Sequence, residues 1–578
     1  MTAAILLSTM GCANSVRALK PNEGKVIPHA IFVHPSGDGL RTEVGKKSTR
    51  LTPSEFEKNL QKMFDTMRAD TRSITRDSAG NETRHVLIRV HGGLNQLESS
   101  LIKSVNLLEA IEKDTDPSAR TYPIFINWES GLWSTLQERY GLDGTFGRRR
   151  RLLRVPLDLG VGVVRFLPSL THQTFGLDRD FSRDHLEEVV PSATPQVAGK
   201  ATQGPADVKA AESAVIAEAD AGVRQAAQRK LIDPATKENP TARIVAHGDA
   251  LAFSRFSYRR TRKEKIWHLG SSFVLNVAPA LAYAPGTSYM RHHVIAWIPP
   301  KFYSLFFVEA LGRPAWETMH GRTTRMFRPD RDIKTEKVQR VATNVSGYRP
   351  PSGATALFAA GLAKTIAEDS TRKYEITIIG HSMGAIVANQ IVREYPNLPW
   401  KNVVLMASAA STNEVRTGIL PVLVQANRAG REMELFNLAL HPWAERRESQ
   451  SVFHIPLVPY GSLLEWIDAF YGYQETPLDR MFGKNDNLIG ASALFPPDIR
   501  GHVHFKVFGY RSGKECQATH KGHKIDAPYT HGSFNANELP FWHLQFWHPG
   551  TAGCVEVQQR AKIAMSLRLV PFPQHLIQ

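Results

Sequence analysis

Cysteine is scarce in this chain, with three in 578 residues: Cys12, Cys516 and Cys554. A scaffold built on disulfides is thereby excluded, and the absence of any zinc-finger spacing removes the common structural zinc modules. Long apolar runs are missing too. No stretch of 18 consecutive apolar residues occurs, so no segment reads as a membrane-spanning helix. There is no internal repeat, no RNP-like aromatic strand and no basic region followed by heptads. The net charge of +16 is therefore not tied to nucleic acid, although by itself it suits nucleic acid, an anionic membrane face or an acidic substrate equally. The run Arg148-Arg149-Arg150-Arg151, with Arg154 behind it, reads as a solvated face.

What is present is ordinary globular composition, 42% hydrophobic and 22% charged, in a chain long enough for one large domain with insertions or for two to three domains. Short apolar runs bounded by turn residues recur at 30–34, 86–91, 123–128, 376–380, 403–407, 433–441 and 503–509 and predict buried strands. Helical periodicity follows or precedes several of them, at 97–113, 356–367 and 385–394. Strands alternating with helices predict an α/β fold with a mostly parallel sheet covered on both faces. The alternation breaks between Gly131 and Pro350, which marks a large inserted, mainly helical cap. Inside it Ala206–Leu231 is rich in helix formers and Ser192–Pro205 resembles a flexible link. The apolar stretches Val155–Leu170 and Phe273–Phe307 read either as cap core or as a lid surface facing lipid or a greasy substrate.

The segment Gly380-His381-Ser382-Met383-Gly384 falls between a predicted strand and a predicted helix. A serine hydroxyl is a poor nucleophile at its own pKa and needs exposure on a tight turn with a base beside it. Two flanking glycines permit such a turn, and a helix N-terminus favours developing negative charge. In this context the segment resembles the nucleophile elbow of the lipases and esterases of the α/β-hydrolase superfamily. The resemblance covers roughly 25–133 and 350–560. It implies Ser382 as nucleophile, an acid and then a histidine later in the chain, and no cofactor. It also implies an oxyanion hole made by the backbone N–H of Met383 and a second N–H from the loop after an earlier strand. His91-Gly92-Gly93-Leu94 resembles the family's His-Gly loop and points to Gly93 or Leu94. His34-Pro35-Ser36-Gly37-Asp38-Gly39 is a weaker competitor.

The family places the catalytic histidine after the last strand, where His520, His523 and His531 follow 503–509. Tyr529-Thr530-His531-Gly532-Ser533-Phe534 looks most like the catalytic-histidine loop, which selects His531 with His523 second. His543 and His548, set among aromatics, read as packing beside the site. The acid, which orients the histidine, is expected after 433–441. Glu445 is nearest, Glu448 is close behind, and Asp468, Asp486 and Asp526 remain open. A metal reading would use His520, His523, Asp526 and His531, whose spacing matches no zinc or iron pattern.

The domain plan is then a tail or signal remnant at 1–24, core at 25–133, insertion or cap at 134–350 and core at 351–578. The N-terminal apolar stretch ending at Cys12 resembles the tail of a bacterial lipoprotein signal peptide, with Thr9 where Leu is usual. It implies lipid anchoring through Cys12 in a bacterial cell envelope; a plain tail instead leaves the chain cytoplasmic. Cys516 and Cys554 read either as a disulfide clamping the His531 segment or as two unrelated thiols. The expected activity is carboxylic-ester hydrolysis through an acyl-enzyme, of the carboxylesterase or lipase type, on an ester or lipid-like small molecule. A peripheral membrane contact fits that expectation and a nucleic-acid partner does not. The same triad serves a phospholipase, thioesterase or acyltransferase. A non-catalytic envelope binding protein on this fold is the alternative from another class.

Overall fold

The computed structural model describes residues 16–140, 312–329 and 351–440 without a break. It also describes 444–445, 448, 462–468, 480–487, 491, 495–496, 498–508, 517–520, 523–526, 528, 530–535, 539–547 and 568–570. The bulk of the inserted cap, with its helical and apolar stretches, and all three cysteines lie outside the described residues.

The strands in chain order are β1 (Ala30–Val33), β2 (Gly39–Glu43), β3 (Lys46–Arg50), β4 (Ile74–Arg76), β5 (Glu82–Val90), β6 (Tyr122–Trp128), β7 (Lys373–His381), β8 (Trp400–Met406), β9 (Glu434–Leu440), β10 (Val503–Phe508), β11 (Gln517–His520), β12 (His523–Asp526) and β13 (Arg568–Val570). The helices used below are α1 (Pro53–Ala69), α2 (Leu97–Lys113), α3 (Leu132–Tyr140), α4 (Arg313–Arg325), α5 (Ala354–Glu368) and α6 (Gly384–Glu394). Ten strands run in the order β13-β10-β9-β8-β7-β5-β6-β1-β2-β3, with β4 paired to β5 off this path. The seven strands from β10 to β1 are mutually parallel. Each of them is an apolar run that reads as a strand in the sequence, because a strand covered on both faces needs no polar alternation. β6 is buried at every position, and β7 is buried from Ile378 onward. β2, β3, β4 and β13 are antiparallel additions.

Helices supply the covering layers. α1 begins with Thr52, whose hydroxyl accepts from the Glu55 amide while Glu55 reaches back to Thr52, and it turns Phe56, Leu60, Met63, Phe64 and Met67 inward. α5 lies against it, with the Phe64 and Phe358 rings 6.0 Å apart. α4 follows the cap in sequence, yet Trp316, Met319, Met326 and Phe327 belong to the main core. The chain has therefore rejoined the core by Trp316, well before the boundary at 350 expected from composition.

After β5 the chain passes to β6 on one side, and β7 later lies on the other. This reversal falls at the carboxyl ends of β5 and β7, the usual place for a ligand crevice in an open parallel sheet.

Candidate active site

Ser382 closes β7 and opens α6 with φ +52°, a left-handed conformation that costs a residue with a Cβ about 1–2 kcal/mol. Three main-chain bonds hold it there. The Ser382 amide donates to Met406 O at 2.9 Å, and its carbonyl accepts from Ala385 at 3.0 Å and Ala409 at 3.1 Å. Strain of this kind persists only where the surroundings over-determine it. Gly384 is needed because a Cβ there would overlap the carbonyl oxygens of Val90 and His91, so α6 leaves the sheet in direct contact with β5.

His531 Nε2 lies 2.9 Å from Ser382 Oγ, although 149 residues separate them. Both side chains are buried. Burial pushes the imidazole pKa down to about 4, so the ring is neutral at pH 7. A neutral imidazole holding its proton on Nδ1 can accept the serine proton at Nε2, which is the geometry of a general base. Nδ1 meets no partner among the described residues.

Two carboxylates stand close in sequence to the expected acid position. The Glu448 amide donates to Ala444 O at 3.2 Å, which brings Glu448 close to Glu445 in space. Glu448 Oε2 accepts from the His531 backbone amide at 2.7 Å. Glu445 Oε2 accepts from Ser462 Oγ, while Oε1 is buried without a partner among the described residues. Burial pushes both carboxyl groups above the ordinary range, Glu445 far above it with Glu448 as a further cause. The structure thus joins Glu448 to His531 through the main chain and leaves Glu445 unjoined to it.

The loop after β5 is packed onto the elbow. A Cβ on Gly92 would lie 2.9 Å from Ser382 Cβ, and one on Gly93 would lie 2.7 Å from Met383 Sδ. Side chains tie its carbonyls down. Gly92 O accepts from Asn95 Nδ2 at 3.0 Å, from Ser130 Oγ at 3.2 Å and from His91 Nδ1 at 2.7 Å; Gly93 O accepts from Asn95 Nδ2 at 3.0 Å. Trp128 N donates to His91 Nε2 at 3.0 Å, so the ring proton of His91 is on Nδ1. Burial drives this imidazole down to about 3 and keeps it neutral. Lys103 Nζ donates to Asn95 Oδ1 at 2.6 Å and thereby fixes which way the Asn95 amide faces. In a trans peptide the N–H points opposite to the C=O. Anchoring Gly92 O therefore aims the Gly93 N–H away from Asn95, and neither that amide nor the Met383 amide has an acceptor among the described residues.

Leu94 does not fit the oxyanion role expected of it. Its amide donates to Ser130 O at 2.9 Å, and its φ of +61° turns the chain toward α2. His543 is also displaced from the place expected beside the site. It bonds to Asp114 at the far end of α2, a 17-residue helix about 25 Å long that starts next to the loop. Asp468 is committed to Lys484 at 3.0 Å and to the Met481 amide at 2.8 Å. His520 and His523 face each other across the separate β11–β12 hairpin, in which Asp526 also lies and whose side chains are outside the description. The His34–Asp38 turn packs on the Arg325 and Ala354 backbone, with β6 and β5 between β1 and β7.

Asn95, Lys103 and the His381 side chain escape the sequence reading. Asn95 carries the one visible signal, since an Asn just after Gly-Gly-Leu is a turn former able to bond nearby backbone. Among the described residues no group of three or more His, Cys, Asp or Glu is placed to hold a metal, and no helix is long and apolar enough to cross a membrane. No protein-family model, no curated protein and no solved structure matches the chain.

Proposed function

We propose that the chain is a serine hydrolase of the α/β-hydrolase type that cleaves carboxylic esters through an acyl-enzyme. The observation that carries this reading is the 2.9 Å approach of His531 Nε2 to Ser382 Oγ on a strained strand-to-helix turn. His531 removes the Oγ proton as Ser382 attacks the acyl carbon. The Met383 and Gly93 amides receive the oxyanion. His531 then returns the proton to the leaving alkoxide, and water deacylates the serine by the same steps. Glu445 completes the set as the acid: its buried Oε1 and the buried His531 Nδ1–H are complementary groups that lack partners among the described residues. Leu94 and Leu132 are 39% and 40% exposed at the carboxyl ends of β5 and β6 and favour an apolar acyl group over a charged peptide.

Hydrolysis of p-nitrophenyl esters from acetate to palmitate tests the reading. Turnover by the wild type that disappears in Ser382→Ala supports it, and the chain-length optimum separates small esters from lipids. No turnover on any ester, together with no fluorophosphonate labelling of Ser382, would leave a binding protein on this fold. Placement at a bacterial envelope rests on the segment ending at Cys12. Cys12→Ser should release the protein from the membrane fraction, and unchanged fractionation would remove the anchor.

A further inference from the structure

Catalytic histidines have to be held, and among the described residues the His531 ring makes one hydrogen bond, to Ser382. Its main chain is tied at both ends. The amide N–H donates to Glu448 Oε2 at 2.7 Å, and the carbonyl lies 3.0 Å from His381 Nε2. A carbonyl can only accept, so His381 Nε2 carries the proton of that bond. His381 stands beside Ser382 in the elbow, with its ring centroid 5.1 Å from that of His531. Burial keeps His381 neutral, which preserves a single N–H aimed at the carbonyl.

We propose that Glu448 and His381 are positioning residues that clamp the His531 backbone, and that Glu448 serves as a hydrogen-bond acceptor and not as the triad's carboxylate. This rests on the proposed role of Ser382 and His531. One arm of the clamp comes from the elbow and the other from the chain after β9, so the base is registered against the nucleophile from two sides. A carboxylate acting on the imidazolium must be charged, whereas an acceptor for an amide need not be. Glutamine in place of Glu448 keeps the acceptor oxygen and loses the charge, and glutamine in place of His381 keeps a donor where Nε2 stands.

The test is the rate of Ser382 phosphonylation by a fluorophosphonate, read by mass spectrometry on the full chain. In that step the Oγ–P bond forms, the P–F bond breaks, the Oγ proton passes to His531 Nε2 and fluoride leaves. Glu448→Gln and His381→Gln should label within about threefold of wild type, while Glu448→Ala and His381→Phe should fall at least about tenfold, since small misplacements of reacting groups cost that much. Circular dichroism and melting temperature identify any variant that has lost its fold, and the two glutamine variants still decide the matter. Equal loss in Glu448→Gln and Glu448→Ala would show that charge is what counts and overturn the clamp; so would Glu448→Ala labelling like wild type. If wild type itself is not labelled at Ser382 while other serine hydrolases in the same reaction are, the hydrolase reading fails and takes the clamp with it.

Discussion

The His531 ring sits against Ser382 in surroundings that disfavour its cation, and this sets its pH behaviour. Only the neutral ring accepts a proton, and burial lowers the pKa to about 4 from 6.5. The Ser382 phosphonylation rate should therefore stay level from pH 8 to near pH 5 and be half lost only near 4. Burial favours the neutral Glu445 carboxyl, which can accept from Nδ1–H without raising the imidazole pKa; an acid limb centred at or above 6.5 would mean that Glu445 is ionised against Nδ1. Asn95 holds the loop whose Gly93 amide is the proposed oxyanion donor. Asn95→Ala removes donors from both loop carbonyls, so the Gly93 N–H loses its aim. Ester turnover should drop about 10- to 100-fold in kcat with little change in KM, because an oxyanion donor acts mainly in the transition state. An unchanged kcat would mean that the loop holds its shape without Asn95. The strand-helix context of Ser382 and the choice of His531 are legible in the sequence. Asn95, Lys103 and the backbone contact of Glu448 are not, since Asn95 and Glu448 bond main-chain groups, and Lys103 orients Asn95, at positions that depend on several strands at once.

At the scale of elements, the best-read parts are those whose burial leaves an unbroken apolar run. The seven parallel strands show such runs in whole or large part, and α2, α5 and α6 show helical periodicity beside them. The edge strand β3, Lys46-Lys47-Ser48-Thr49-Arg50, has no fully buried residue and no apolar one, so nothing marks it before its partner β2 is in place. α1 carries a start signal in Thr52-Pro53-Ser54-Glu55 that patterning by apolar residues alone overlooks. α4 is anchored by polar contacts as well as by its core residues. Arg322, 2% exposed, donates to Glu138 at 2.8 Å, to Glu129 O at 3.0 Å and to Ser134 Oγ at 3.1 Å, tying α4 to α3. Arg322→Ala removes the donor to Glu129 O and Ser134 Oγ while Glu138 keeps Arg325, and it should lower unfolding free energy by about 1–3 kcal/mol in urea titration. A loss below about 1 kcal/mol would show that the apolar face of α4 suffices.

Across the whole molecule, the C-terminal part of the chain covers the sheet far from where it is made. Phe541 lies over Arg89 of β5, Trp547 meets Phe436 of β9, and Phe546 O accepts from Lys506 of β10. Lys506 is fully buried, and desolvation pushes its pKa well below the ordinary value of 10.5. Between the lowered folded pKa and 10.5 the unfolded lysine is protonated and the folded one is not. The unfolded state therefore binds the extra proton, and this group makes stability rise with pH. Lys506→Met, which keeps the volume, should be more stable than wild type at pH 7. The advantage should shrink by about 1.4 kcal/mol per unit as pH approaches 10.5. A constant difference between pH 7 and 9 would mean that the folded amine is charged.

By itself the sequence determined the elements whose signal is local: apolar runs for doubly covered strands, periodicity for their helices, and a glycine-flanked serine where one becomes the other. Tertiary structure alone decided strand order, the reversal of winding at β5 and β7, the engagement of the Leu94 amide by Ser130, and the meeting of Ser382 with His531. The difference is one of range. Local signals report whether a residue is buried and in what backbone form, whereas a hydrogen bond between residues 149 apart exists only once the strands between them have taken their places.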